Sequence, residues 1–187
     1  MNALSQPRSR RQAAVILIAI AGIATGRAQD AFSISSIFQR ESFRPALPTE
    51  RAVVKSYGKG VLEHLHHQAY RIYKHGKSEL WIGCRVDEDD RVNRPVTAII
   101  LSTVSLSNNA SVPRITLPSL QLHGLQIGDS VRDILGKCGQ PRRIYNRALT
   151  NKLSFLTYEY FLKGKDSCLR FYIENDRVVA ASISSEE

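Results

Sequence analysis

Apolar positions along the chain follow two periods. Residues 49–57 (TERAVVKSY) begin at a Thr suited to cap a helix and carry Ala52, Val53 and Val54 toward a core, and Gly58 and Gly60 end the run. Residues 124–141 (GLQIGDSVRDILGKCGQP) follow the same plan. Asp129 or Ser130 caps the helix, and Val131, Ile134 and Leu135 recur at helical spacing. Gly136 and Gly139 weaken its end and Pro141 forbids its continuation. Residues 61–68 (VLEHLHHQ) read as a further short helix. Elsewhere the period is two, which predicts strands over 69–74, 79–87, 96–103, 153–162, 167–174 and 177–184. In the second of these Leu80, Ile82, Cys84 and Val86 oppose Trp81, Gly83 and Arg85; in the fifth Leu169, Phe171 and Ile173 oppose Cys168, Arg170 and Tyr172. Residues 75–78 and Asn175-Asp176 supply turns. The basic stretch 142–151 (RRIYNRALTN) reads as a loop.

The order repeats. Residues 49–60 parallel 130–141, and 96–103 parallel 178–185, with two alternating strands between them in each half. The fold class expected is α+β: two helix-plus-antiparallel-meander repeats forming a sheet with one open face. Residues 1–28 read as a signal peptide and 29–48 as a lead-in with a helical turn. The first repeat then spans 49–103, a linker rich in Ser, Asn and Pro spans 104–123, and the second repeat spans 124–187.

The signal reading rests on Arg8, Arg10 and Arg11, the apolar run 13–24, and the small residues Gly26 and Ala28. The run is too short for a bilayer, which needs roughly 20 residues. No stable span is expected after cleavage, and the product is periplasmic or secreted. No Cys stands at the cleavage point to carry a lipid. The net charge is +9, but cleavage would remove four arginines and no acid, which weakens any case for a nucleic-acid partner. Outside the cytosol a pair among Cys84, Cys138 and Cys168 can oxidise, leaving one thiol over; the plainer and favoured reading is small buried residues plus one bridge at most.

Chemistry-bearing motifs are few. On a helix His64 and His67 would share a face, but two imidazoles make an incomplete metal site. The acidic run 87–90 lacks the turn glycine of a calcium loop and reads as solvated. Asn109-Ala110-Ser111 matches a glycosylation acceptor. There is no GxSxG elbow and no phosphate-binding glycine loop. Neither a catalytic residue nor a cofactor is expected. Arg71, Tyr73, Trp81, Arg85, Arg170 and Tyr172 are instead assigned to the open sheet face, because Tyr, Trp and Arg anchor protein interfaces.

The second half resembles the SmpA/OmlA-type small outer-membrane assembly proteins through residues 124–130 (GLQIGDS), Val131, Leu135, Gly136, Gly139, Pro141, residues 169–173 (LRFYI) and Val178-Val179. The doubled arrangement looks like that of β-lactamase-inhibitor-type proteins, whose paired units form a concave sheet that grips a partner. The expected function is an exported, non-enzymatic protein-binding module whose partner is another exported or envelope protein. A structural or outer-membrane assembly role in the envelope is the alternative, and a metal-dependent hydrolase built on His64 and His67 a third reading.

Overall fold

Eight antiparallel strands join edge to edge in a computed structural model that describes residues 33–44, 48–65, 68–86, 94–106, 111–162 and 167–185. The expected signal segment, His66, His67, the acidic run 87–90 and Asn109 lie outside these residues. The strands are β1 (Val61–Leu65), β2 (Gln68–His75), β3 (Ser78–Arg85), β4 (Val96–Ser102), β5 (Arg143–Ala148), β6 (Ser154–Leu162), β7 (Ser167–Glu174) and β8 (Arg177–Ser185). Their order across the sheet is β1-β2-β3-β4-β8-β7-β6-β5. Strands consecutive in the chain are neighbours, except where β4 meets β8 from Ala98↔Ser184 to Ser102↔Ala180.

The expected α+β fold of two helix-plus-meander repeats is therefore corrected. Sheet dominates, and the helices are short: α1 (Ile34–Arg40), α2 (Glu50–Tyr57) and α3 (Val131–Cys138). Two segments account for the difference. Residues 61–65, read as helix, form β1, because pairing with β2 (Val61↔Ile72 to Leu65↔Gln68) outweighs an ambiguous apolar spacing. Arg143–Ala148, read within a loop, forms β5 against β6 from Arg143↔Glu159 to Ala148↔Ser154.

The helix caps follow the sequence. Thr49 accepts from the Ala52 amide at the start of α2. Ser130 accepts from the Asp133 amide while the Asp133 carboxylate accepts from the Ser130 amide, a reciprocal box at the start of α3. Each helix is too short to be stable alone, so docking an apolar stripe on the sheet sustains it. Ile34, Val53 and Ile134 reach the sheet at 0 % exposure, against Leu80, Ile82, Leu169 and Phe171.

Nor is the apolar half of the opposite face open. A second cluster unites Tyr70, Ile72, Trp81, Ile100, Phe155 and Tyr172, with Val112 and Leu149 packed over them. Leu106, Pro113 and Ile115, within the stretch 104–123, are bonded to the sheet. Lys74 donates its amide to the Pro113 carbonyl at 2.8 Å and accepts from the Ile115 amide at 2.9 Å. Buried Glu79 accepts from the Leu106 amide at 2.8 Å and from Trp81 Nε1 at 3.0 Å. These bonds satisfy backbone groups at the margin of β2 and hold a lid of Val104, Leu106 and Val112 over Trp81. All three cysteines are unbridged. Among the described residues no helix is long and apolar enough to cross a membrane.

Candidate binding site on the second sheet face

Strand register lays side chains in rows across the sheet. One row on the second face reads Arg143, Glu159, Arg170, Ser182, Ile100, Trp81, Ile72 and Val61, from β5 to β1. Its apolar half is core and its polar half is not. Near the middle the side chains are short: Ser182 and Ser184 on β8, Ala98 on β4. Tall neighbours, Tyr70, Tyr172 and Phe161, rise around them. Short residues ringed by tall ones leave a cavity of about 460 Å³. Leu65 at the end of β1 and Leu149 just past β5 both line it, so the sheet curves enough to bring both margins to one hollow.

Charge enters from β5, β6 and β7. Arg170 Nε donates to Glu159 Oε2 at 2.7 Å, and its Nη1 donates to Ser184 Oγ at 2.7 Å. The Tyr145 hydroxyl donates to the same Glu159 oxygen at 2.7 Å and accepts from Arg147 Nη1 at 3.3 Å. Arg143 Nη1 stands 3.8 Å from Glu159 Oε1. Burial alone would push the Glu159 carboxyl up, but the bonds from Tyr145 and Arg170 outweigh it and hold the carboxyl below its ordinary range. Glu159 is thus an anion committed to Arg170. Arg147, exposed at the mouth, keeps a charge that no carboxylate of the described residues contacts.

The remaining polar wall is neutral. Burial, with Tyr172 beside it, pushes the Tyr70 phenol up to about 12, although Arg147 and Arg170 pull the other way. Burial likewise raises Tyr172. The Tyr70 hydroxyl donates to Gln68 Oε1 at 2.7 Å, and Gln68 Nε2 donates to Thr97 Oγ1 at 3.4 Å. Thr97 reaches this side because the β3–β4 register shifts at Gly83/Cys84. Gly83 must stay bare, because a Cβ there would stand 2.9 Å from the Tyr70 ring and 3.0 Å from Gln68 Oε1. The cavity therefore offers cationic and hydroxyl donors beside apolar surface from Leu65, Ile100 and Leu149. That mixture suits an anionic group carried on an apolar stem.

The six residues assigned to an open face do not form one surface. Ile72 pairs with Trp81, which puts Arg71 and Tyr73 on the opposite, helix-covered face. There Arg71 Nε donates to Glu50 Oε1 of α2 at 2.7 Å, and the Tyr73 hydroxyl donates to the Gly58 carbonyl at 2.7 Å. Trp81 shares the side of Tyr172, but the two are 0 % and 3 % exposed and serve as core. Arg85 is exposed at the end of β3. Arg170 and Tyr172 line the cavity together. Tyr70, Arg147 and Gln68 were missed. A signal existed, because Arg143, Tyr145 and Arg147 alternate within a stretch whose charge suggested a loop. His64 lies exposed on a strand, away from the expected helix. Among the described residues no group of three His, Cys, Asp or Glu side chains is placed to hold a metal ion.

Neither a family model nor a curated protein matches the chain. Among solved structures the chain is similar to the crystal structure of a DUF4309 family protein (YjgB) from Bacillus subtilis subsp. subtilis str. 168, at 13% sequence identity and a TM-score of 0.46, over 76% of this chain and 80% of that one. Nothing in these comparisons bears on the SmpA/OmlA-type resemblance of the second half.

Proposed function

We propose that the protein is an exported, non-enzymatic binding module that seats an acidic, partly apolar group of an exported or envelope protein in the concave cavity. One observation carries this reading: Arg147 and Arg170 line an open hollow whose other described polar walls are neutral, and Glu159, the carboxylate bonded to Arg170, is already engaged. A carboxylate entering there gains the free donors of Arg147 together with hydroxyls, while its stem covers Leu65 and Leu149. Binding supplies position and charge complementarity, with no bond made or broken.

The test is capture from the native envelope fraction or the culture medium. A protein retained by the wild type should be released by Arg147→Glu and by raised salt, and retained by the control Arg132→Glu, which alters an exposed position on α3. Retention unchanged by Arg147→Glu overturns the proposal.

A further inference from the structure

β5 ends the sheet, and no described strand pairs with its outer side. The Leu149 amide donates to the Leu153 carbonyl at the hairpin end. Antiparallel bonding alternates, so Arg147, Tyr145 and Arg143 turn their backbone groups inward to β6. The amides and carbonyls of Ile144, Asn146 and Ala148 consequently point outward. That is a template for one more strand.

The side chains beside this edge are sorted by face. Arg143, Tyr145 and Arg147 project to the second face, with Arg142 stacked 4.2 Å over the Phe161 ring nearby. Ile144, 54 % exposed, projects to the other face, where Leu156 on β6 is 39 % exposed. The arginines forbid pairing with a second copy of the same edge, because like charges would be laid side by side. They favour an acidic strand. We propose that β5 docks an extended segment of a partner protein in which acidic and apolar residues alternate. The acidic residues lie beside Arg143 and Arg147, and the apolar ones cover Ile144. Main-chain bonds give the affinity, and the alternation gives the selectivity. This site adjoins the cavity but uses backbone that the cavity does not.

The probe is a synthetic eight-residue peptide alternating glutamate and valine, with blocked ends, set against its lysine–valine counterpart. Amide hydrogen exchange by NMR should show the Glu–Val peptide protecting Ile144, Asn146 and Ala148, and the Lys–Val peptide leaving them unchanged. Asn146→Pro removes an outward amide that the sheet does not use, and should abolish the protection. Arg143→Glu, at an exposed side chain, should weaken peptide binding about fivefold to tenfold and keeps the test decisive if the proline variant folds poorly. Arg147 lines the cavity as well and is left out, so failure at the edge is separable from failure of the cavity. The proposal falls if the acidic peptide gives no protection, if the Lys–Val peptide protects equally, or if the three amides are protected by self-association without peptide.

Discussion

Glu159 sits 3 % exposed in its side chain between Arg170 and Tyr145, and that setting makes it a stability element. Its native pKa is depressed, so its contribution is fully present at neutral pH. The contribution fades as pH falls below the ordinary glutamate range and is gone below the depressed native pKa. Glu159→Gln should cost about 3 kcal/mol at neutral pH, because half-buried Arg170 is left without its anion. Urea melts at neutral and acidic pH should show the gap between wild type and variant closing on acidification; a pH-independent gap would contradict this account. The thiols behave oppositely. Burial, with the Glu50 charge adding, pushes Cys84 up to about 12, and burial, with Glu41 adding, pushes Cys138 up to about 11. Both are protonated at neutral pH and poor nucleophiles. A thiol-reactive dye should label the native protein slowly, half-buried Cys138 before buried Cys84, with rapid labelling only after denaturation.

At the scale of elements, the helices depend on their first turns. Ser130→Ala removes the hydroxyl that meets the Asp133 amide and should cost about 1 kcal/mol, and Thr49→Ala a similar amount. Urea midpoints would measure both. These caps were legible in the sequence because capping is local: a side chain bonds an amide three residues away. Strands were legible where one face is apolar, as with Leu169, Phe171 and Ile173. β5 was not, because an edge strand that is polar on most positions carries little of that contrast. β1 was not, because Val61, Leu62 and Leu65 fit either period and only its partner decides. The same limit hid half of the candidate site. Arg170 and Tyr172 were visible in a clear alternation, while Arg147 lay in a stretch whose pairing depends on β6.

For the whole molecule, the sheet is shared by two cores. Trp81 is the single tryptophan and lies in the second core at 0 % exposure, so its emission should be blue-shifted in the native state. Because every described strand belongs to one sheet, loss of that emission and loss of far-UV dichroism should coincide in urea. Two separated transitions would mean that the halves part at β4–β8. Trp81→Ala should cost about 3–5 kcal/mol, the range for emptying a large aromatic site in a core, whereas an exposed Trp would cost little.

By itself the chain determined what acts over a few residues: where helices are capped and stopped, which runs alternate, and which side chains share a face within one strand. Tertiary structure alone decided which strands lie side by side, and hence that Arg71 and Tyr73 face the helices while Trp81 faces the other way. It also decided that the helix side and the apolar half of the other side are covered, since covering is done by segments distant in the chain: Val104, Leu106 and Val112 over Trp81, and α1 to α3 over Leu80 and Phe171. Local bonding energies are written in neighbouring residues, but burial depends on what the rest of the fold brings to the surface.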